Sequence, residues 1–548
     1  MDHPRATFAS LLFCLAALPL AFAACGGKGG APTGTGGHGA TSSDAASTAS
    51  STGAGVHCQA TEESCGGVCV DLTSSAANCG SCGTACGAGA LCCASACVET
   101  AACTFAVSAT MPTSGWQNGG DYVTLTGQGF AAGMKVFIGD GRAAVKVLSP
   151  TTARIKTPPG PLGATDIKVQ VGPGTAVLKG AFTYASAGLN TPWEQKKMSI
   201  VRGEDPGVAV LQDGRVLIVG GTAKPDSTME ALDTGILYTR TTDTVTDITN
   251  TMSTRRWHVG AVTLLDGRVL VVGGACYPDL SNCNGADPLA ADLFDPVTNT
   301  FTPSKSKLAM GRAYPRSVLL PDGRVLISSA NDPSLEIYDP DLDTFTLVPN
   351  PLAATAHVFG FMVLLRDGRA LFGAGDAGNA TAELFDPDTN AITATGPLKQ
   401  GRSMLTAHTL PDGRVMVIGG ASMSAGAVTD PLDSMETYDP VTGMFTTFPG
   451  KLSIGRCWHA SALVRDGTVL VMGGYTVHGT CASSVDTVDQ VDPVSGMVTP
   501  FAILPNTNTE WVAVTLLDGS VLGVGGGACG TTMALPDIDF LPGAKGPN

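Results

Sequence analysis

One position of a sevenfold repeat in this 548-residue chain holds the side chains best suited to chemistry. It lies eight residues before an Asp-Gly pair, and its occupants differ from repeat to repeat: Asp205, His258, Tyr314, Phe359, Met404, Trp458 and Glu510. Glu510, Asp205 and His258 come from consecutive repeats if the array closes on itself, and such oxygen and imidazole groups can chelate a metal ion or flank a sugar. This diversity is typical of a binding surface and equally of an unconstrained rim.

A second set of positions, ten residues before the same aspartates, is repetitive. It consists of Arg256, Arg312, His357, Arg402 and Arg456, with Arg202 one place out of register. Repetition favours a structural role, in which the guanidinium groups bond loop carbonyls of neighbouring repeats. The alternative is a ring of anion-binding arginines.

Both sets belong to a repeated stretch of which LQDGRVLIVGG, residues 211–221, is the first copy. The aspartates of the copies are residues 213, 266, 322, 367, 412, 466 and 518, at spacings of 45 to 56 residues, as in propeller blades. Asp-Gly between apolar runs predicts a hairpin with positive φ at both central residues of its turn. A third strand such as Ala291–Pro296 and a fourth such as Thr300–Thr302 give four strands per unit, so seven blades are predicted.

The ends of the array predict how the ring closes. The seventh repeat has a third strand near Ile538–Phe540 and no fourth, whereas residues 188–196 precede the first hairpin. We predict that residues 188–196 pair with 536–541, which removes an exposed edge. If the strands of each blade are called a to d, the Asp-Gly turns share one face. A ligand site is expected on the opposite face, at the starts of the a strands and the variable b–c loops. The candidate residues on that face are Asp205, His258, Tyr314, Trp458, His459, Glu510 and Trp511.

The segment GRCWHASALVRDG, residues 455–467, resembles the galactose and glyoxal oxidase family of copper radical propellers. The resemblance implies a seven-bladed, kelch-like fold. That family places a Tyr-His pair here and needs a Tyr cross-linked to a Cys and a second His in a C-terminal immunoglobulin-like domain. His459 matches the histidine, Trp458 stands at the tyrosine position, and the sequence ends at Asn548 without room for that domain. We therefore expect an incomplete copper set, with no catalytic residue, no metal site and no cofactor, neither copper nor calcium being supported.

The N-terminal residues predict export. Residues 1–24 contain an apolar run from Phe8 to Ala24 that ends in small residues, which is typical of a signal peptide. Cys25 follows and resembles the lipidated cysteine of bacterial lipoproteins, which implies a membrane anchor at the outer membrane or cell surface. Ordinary signal-peptidase cleavage and secretion is the alternative. Residues 25–56, rich in Gly, Ser and Thr, are expected to be a flexible tether.

Two small domains are predicted before the propeller. Residues 57–103 contain ten cysteines, which indicate a disulfide-stapled module in an exported protein, and they resemble a cysteine-rich repeat named after plant stigma-specific proteins. Residues 104–185 alternate in strands with glycine turns. Segments such as Gly119–Phe130 and Asp166–Val171 resemble an IPT/TIG immunoglobulin-like domain, which implies a spacer or interaction module.

The propeller, residues 186–548, contains five more cysteines. We predict disulfides Cys276–Cys283 and Cys457–Cys481, which leaves Cys529 as a thiol. The alternative is that Cys529 takes Cys481 from Cys457.

Composition and motifs together predict a function class. The formal net charge of −15 excludes nucleic acid as a partner. The sequence predicts an all-β chain, a seven-bladed propeller preceded by a β-sandwich and a disulfide-rich module. We expect a non-catalytic cell-surface lipoprotein that binds a protein or carbohydrate ligand. The alternative is an extracellular carbohydrate-active enzyme, a galactose oxidase-like oxidoreductase or a glycoside hydrolase, that uses the loop face.

Overall fold

A computed structural model describes most of the chain from residue 62 to residue 543. The exceptions are residues 66–67, 72–76, 80, 87–89, 94–95, 100–104, 190–192, 204–205, 224–230, 275–288, 330–331, 350–356, 358, 376–378, 425–426, 478–482, 507, 529–532 and 535–536. The predicted signal peptide, Cys25 and the predicted tether lie outside the described residues. Every described residue belongs to one compact unit, Gly55–Asn548. Among these residues no helix is long and apolar enough to cross a membrane.

Two short hairpins form the described part of the cysteine-rich segment. Their strands are β1 (Glu62–Cys65), β2 (Val68–Asp71), β3 (Ala90–Cys93) and β4 (Ala96–Glu99). A disulfide joins Cys65 to Cys82, and Cys79 and Cys86 are also disulfide-bonded. The segment therefore contains disulfides, as its cysteine density predicts.

Eight strands form the domain that follows. They are β5 (Ala106–Met111), β6 (Ser114–Trp116), β7 (Tyr122–Gln128), β8 (Lys135–Ile138), β9 (Gly141–Ser149), β10 (Thr152–Lys156), β11 (Gly163–Val171) and β12 (Gly174–Ala185), paired in the order β5-β7-β10-β9-β8-β11-β12-β6. Alternate residues point inwards, so Val123, Leu125, Ile155 and Val169 join one apolar core.

The remaining strands form the seven blades predicted from the repeats, numbered 1 to 7 from β14, each an antiparallel sheet of four strands, with β42 added to the seventh and β32 paired separately with β33. They are β13 (Glu194–Lys197), β14 (Gly207–Val210), β15 (Val216–Val219), β16 (Gly235–Thr239), β17 (Thr244–Asp247), β18 (Gly260–Thr263), β19 (Val269–Val272), β20 (Ala291–Asp295), β21 (Thr300–Pro303), β22 (Ser317–Leu319), β23 (Val325–Ile327), β24 (Glu336–Asp339), β25 (Thr344–Leu347), β26 (Phe361–Leu364), β27 (Ala370–Gly373), β28 (Ala382–Asp386), β29 (Ala391–Ala394), β30 (Thr406–Thr409), β31 (Val415–Ile418), β32 (Ala421–Ser424), β33 (Ala427–Pro431), β34 (Ser434–Asp439), β35 (Met444–Lys451), β36 (Ala460–Leu463), β37 (Val469–Met472), β38 (Thr487–Val491), β39 (Val498–Ile503), β40 (Asn508–Thr515), β41 (Val521–Ala528), β42 (Met533–Ala534) and β43 (Asp537–Leu541). The b strands β15, β19, β31 and β37 are buried at every residue, because a neighbouring blade covers each face.

The ring closes as predicted. Strand β13 pairs antiparallel with β43, with Glu194 opposite Phe540 and Lys197 opposite Asp537. Blade 7 therefore consists of β40, β41, β43 and the N-terminal β13, with β42 attached to β41. The Gln195 amide also donates a hydrogen bond to the Asp539 carboxylate at 2.9 Å.

The Asp-Gly turn differs from the prediction. Among its residues only the glycine has positive φ, +85° at Gly214. Gly214 N donates to Leu211 O at 3.0 Å and Leu211 N to Arg215 O at 2.8 Å, which defines a three-residue loop. The Asp213 carboxylate accepts Arg215 N at 3.0 Å, so the aspartate stabilises the turn with its side chain and needs no positive φ.

The repeated arginines are fully buried inside their own blades. Arg402 donates to Gly419 O at 2.9 Å, to Ser434 O at 2.8 Å and to the Glu436 carboxylate at 2.9 Å, all within blade 5. Equivalent ion pairs occur in three other blades: Arg256–Asp292, Arg312–Glu336 and Arg456–Asp489. The expectation that these side chains bond neighbouring blades was wrong, because the acidic partner lies on strand c of the same blade.

Neighbouring blades are joined by a different arginine, the one that follows Asp-Gly. Arg268 bonds the Asp266 carboxylate at 2.7 Å and Pro340 O of blade 3 at 3.0 Å. The same contact to the next blade is made by Arg215, Arg324 and Arg414, with Pro296 O, Pro387 O and Pro493 O respectively. The arginine of the Asp-Gly-Arg motif thus hydrogen-bonds each of these blades to the next one.

The domain of residues 106–184 packs on the face that carries the Asp-Gly turns. Its strand β9 runs along the turns, with Arg142 N bonded to Arg366 O and Val145 N bonded to Pro321 O at 2.9 Å. Both terminal nitrogens of Arg142 also donate hydrogen bonds to the Asp388 carboxylate, at 2.8 and 3.0 Å. These bonds, then those of Lys135, lower the pKa of Asp388 to about 2, so the ion pairs persist in mild acid. The domain therefore packs directly on the propeller. The sequence resemblance was also compatible with a spacer that makes no such contact.

We expect Glu436→Leu to destabilise the chain by about 3–5 kcal/mol, because it leaves the buried Arg402 charge without its partner. The double variant Arg402→Met/Glu436→Leu should recover much of that loss. Asp433→Ala, which breaks the exposed Lys451–Asp433 pair of the same blade, should cost less than about 1 kcal/mol. Urea denaturation measures all three, and equal costs for the two single variants would contradict the assignment.

Replacing Asp341 and Asp388 together by valine should loosen the docked domain. These residues bind Lys146, Arg142 and Lys135, whereas the same turn position holds exposed valines in other blades, such as Val441. We expect faster proteolysis near residues 185–193 and a larger radius of gyration by X-ray scattering. Val441→Asp, the matched control, should change neither quantity. An unaltered double variant would show that the acidic turns do not hold the domain.

Candidate functional site

The face opposite the Asp-Gly turns carries a ring of bulky residues in the left-handed backbone region. They stand at the position eight residues before the aspartate, and their φ values lie between 44° and 57°: His258, Tyr314, Phe359, Met404 and Trp458. Bulky residues rarely adopt positive φ, and each such residue costs about 1–3 kcal/mol. Five equivalent outliers in one ring indicate a conformation that the fold imposes. We call these five residues the mouth of the propeller channel.

Hydrogen bonds on both sides hold the mouth residues in place. In blades 2, 3, 5 and 6 the buried arginine lies two residues earlier in the chain. Along the ring, Trp458 N donates to Met404 O at 3.1 Å, and Met404 N donates to Phe359 O at 2.8 Å. Neighbouring blades thus share a backbone ladder at the mouth, which offsets the strain.

The rings of the mouth residues pack on one another across the channel axis. His258 lies 3.8 Å from Tyr314 between ring centroids, and Tyr314 meets Phe359 edge-on at 4.9 Å. Trp458 meets Phe359 edge-on at 5.1 Å and lies 6.3 Å from Tyr314. Blades 2, 3, 4 and 6 therefore supply one continuous aromatic cluster.

A cavity of about 370 Å³ lies against this cluster. The mouth residues line it, together with Val208, Ala261 and Ser461 from the a strands. Trp458 is partly exposed, but its indole Nε1 is buried and has no acceptor among the described residues. The arrangement offers flat apolar ring faces and an indole donor to a ligand, which is what stacking recognition requires.

Two of the candidate residues lie in the propeller wall. His459 is 5% exposed, its Nε2 is 2.9 Å from Thr406 Oγ1, and burial, with the nearby Arg456 charge, lowers its pKa to about 3. Trp511 is 4% exposed and packs in the apolar core between blades 6 and 7. In the same wall His408 bonds Ser461 at 2.6 Å, and burial lowers its pKa to about 4. Both histidines are therefore neutral structural groups at pH 7.

The other candidates are only partly described. Asp205 lies outside the described residues, and Glu510 is in β40 without a described side chain. Cys276, Cys283 and Cys481 also lie outside them, so the Cys276–Cys283 disulfide stays a prediction. Cys457 is buried, and its predicted bond to Cys481 also stays a prediction.

The sequence also allowed a metal site among the mouth positions and an anion-binding ring of arginines. Within the described part of the chain, no three His, Cys, Asp or Glu side chains lie together as a metal site. The proposed cluster of Asp205, His258 and Glu510 is not tested, because two of its members lack described side chains. The guanidinium groups of Arg256, Arg312, Arg402 and Arg456 are buried and bonded to carboxylates, so they do not form an anion-binding ring.

Comparison with known proteins identifies the small domain and extends to the propeller. Residues 106–184 match the IPT/TIG domain model. Alpha-scruin of Limulus polyphemus is 24% identical over 334 residues, which cover 56% of this chain and 34% of the relative. Beta-scruin of the same organism is 25% identical over 322 residues, which cover 55% of this chain and 33% of the relative. The chain thus spans about a third of the length of these curated relatives.

A solved structure supports the same architecture. A fungal alcohol oxidase of the AA5 family, in complex with copper, superposes with a TM-score of 0.53 at 18% identity, covering 64% of this chain and 76% of the oxidase. At this identity the likeness concerns the fold alone. Residues 106–184 are therefore an IPT/TIG domain, and the seven blades that follow form a β-propeller that shares its fold with the fungal oxidase.

Proposed function

We propose that this chain is an exported recognition protein, anchored through Cys25, whose propeller binds a protein or carbohydrate ligand at the mouth. The observation that carries the proposal is the ring of five bulky residues with φ of 44–57°. Side chains of this size are strained there, and strained positions concentrate at ligand sites. A fold needing only a closed ring would be served by glycine or asparagine at these positions.

The chemistry of the mouth favours binding by stacking. Tyr314, Phe359 and Trp458 present ring faces and edges within 7 Å of one another, and Trp458 adds an indole donor. Sugar rings and the side chains of peptides both pack on such surfaces, and the indole can donate to a hydroxyl or carbonyl oxygen. The relatives support the propeller scaffold and leave the ligand class to experiment.

The second candidate function is an extracellular carbohydrate-active oxidase or hydrolase. It is favoured by the copper-containing fungal oxidase that shares the fold and by His459, which matches the family motif. His459 faces Thr406 inside the wall, and Trp458 is at the position of the tyrosine. Stoichiometric copper in the purified protein, with peroxide formed from galactose or glyoxal, would establish this alternative in place of recognition.

Glycan and peptide arrays probed with the full chain should identify a ligand, whose affinity is then measured by calorimetry. We expect Trp458→Phe to weaken that ligand about tenfold, because the indole donor and part of the ring area are lost. Trp193→Phe is the matched control, since Trp193 packs against the core of blades 6 and 7 and does not line the mouth cavity. A ligand that binds Trp458→Phe, Tyr314→Ala and the parent chain equally well does not use the mouth.

A further inference from the structure

A second cavity, of about 570 Å³, lies at the far end of the same channel. The IPT/TIG domain forms its floor, and the a strands of all seven blades form its wall. Val208, Ala261 and Ala513 line both this cavity and the one at the mouth, so the two spaces are continuous along the axis. The channel therefore has an aromatic end and a floor built by another domain.

Two cations line the lower end of the cavity, Lys156 and Arg465. Among the described residues neither Lys156 of the IPT/TIG domain nor Arg465 of blade 6 has an ion-pair partner. Arg465 is 3% exposed, its guanidinium stacks 3.8 Å over the Trp116 ring, and Lys156 Nζ lies 5.5 Å over the Tyr122 ring. Burial lowers the pKa of Arg465 to about 10, which leaves it charged at pH 7.

One acid shares the floor with these cations. Burial raises the pKa of the Asp121 carboxyl, against the opposing effects of a hydrogen bond from Trp116 N at 2.7 Å and of the Arg465 and Lys156 charges. The only other charged residue among the described lining is Arg142, which Asp388 already neutralises. The field of Asp518 also reaches Arg465, but Asp518 does not line the cavity and is paired with Arg240 at 3.5 Å. Two positive charges against one negative charge leave the floor with a surplus of one, in a chain whose net charge is −15.

Polar atoms on the floor also lack partners. The Tyr122 hydroxyl and Asn118 Oδ1 are buried without a hydrogen bond among the described residues. Buried polar groups in folded proteins normally have hydrogen-bond partners, so these two atoms can bond a molecule held in the cavity.

The wall above the floor behaves as an apolar surface. Its threonine hydroxyls are used between blades, with Thr263 Oγ1 bonded to Val210 O, Thr409 Oγ1 to Leu364 O and Thr515 Oγ1 to Leu463 O, at 2.7–2.9 Å. Ser461 is bonded to His408. With these groups satisfied, the wall presents mainly valine, alanine and leucine side chains to the channel.

We propose that the floor is a binding site for a small aliphatic monocarboxylate, the carboxylate between Lys156 and Arg465 and the tail along the channel. One negative charge balances the surplus of one, whereas a phosphate dianion would exceed it. The Tyr122 hydroxyl donates to the second carboxylate oxygen. This site lies at the opposite end of the channel from the mouth and does not depend on the function proposed there.

Titration calorimetry of the full chain with sodium hexanoate tests the proposal. We expect saturable binding of one hexanoate per chain and weaker binding of butanoate, by about fourfold for each methylene lost. Hexylammonium, which has the same tail and the opposite charge, should not bind. Inorganic phosphate should bind more weakly than hexanoate.

Lys156→Met keeps the length of the side chain and removes its charge. It should weaken hexanoate at least about tenfold, as expected when a charge-assisted hydrogen bond is lost. Lys168→Met is the matched control, because Lys168 also lies over an aromatic ring, that of Phe137 at 4.5 Å, but outside the cavity. Its hexanoate affinity should equal that of the parent chain.

Three outcomes would overturn the proposal: no saturable binding of hexanoate at millimolar concentration, equal binding of hexylammonium, or equal losses in Lys156→Met and Lys168→Met. If circular dichroism shows that Lys156→Met does not fold, Tyr122→Phe takes its place and should weaken hexanoate several-fold. Unaltered affinity in Tyr122→Phe would then count against the site.

Discussion

The fold depends on a buried ion pair that recurs from blade to blade. In blades 2, 3, 5 and 6 an arginine ahead of strand a meets a carboxylate on strand c, and both side chains are almost fully buried. The carboxylate also accepts backbone N–H groups from the link that enters the blade, as Glu436 does from Lys399 and Gln400. One ion pair therefore holds together strand c, the end of strand b and the segment that leads into strand a. The mouth residue two positions later is fixed by the same contacts.

The pair is replaced in the three other blades. In blade 4 His357 stands in for the arginine, 3.3 Å from Glu383. Blade 1 keeps Arg202 but has Ile236 at the acidic position, and burial lowers the pKa of Arg202 to about 10. Blade 7 keeps the acid, Asp539, which Gln195 contacts across the seam. The Arg–carboxylate pair is thus incomplete in blades 1 and 7, which lie on either side of the point where the ring closes. Pairing of β13 with β43 supplies part of the stability there.

Blade number, strand order and closure could be predicted because each repeat carries its own local signals. Asp-Gly between apolar runs fixes a hairpin wherever it occurs, and a blade without a fourth strand must find one elsewhere. Sequence could not give the turn type, since the aspartate side chain satisfies the turn without positive φ. Nor could it give the direction of the arginines or the left-handed conformation of Tyr314 and Trp458, because bulky residues disfavour that region and tertiary hydrogen bonds impose it. The docking of the IPT/TIG domain did leave a signal: Gln212, Arg366 and Arg465 precede Asp-Gly where other repeats have Leu or Pro, and each contacts that domain.

The pairing of β13 with β43 sets the order in which the molecule can assemble. Gln195 and Asp539 are 344 positions apart, so the seam cannot form until almost the whole propeller has left the ribosome. Until then blade 7 lacks its outer strand, and the IPT/TIG domain, though able to fold from its own core, faces an unfinished ring. Its bonds to blades 3 and 4 become available well before those to blade 6. A chain stalled short of residue 537 would expose the edge of β41, a ready template for pairing with another molecule, so completion of the ring also protects the protein from aggregation.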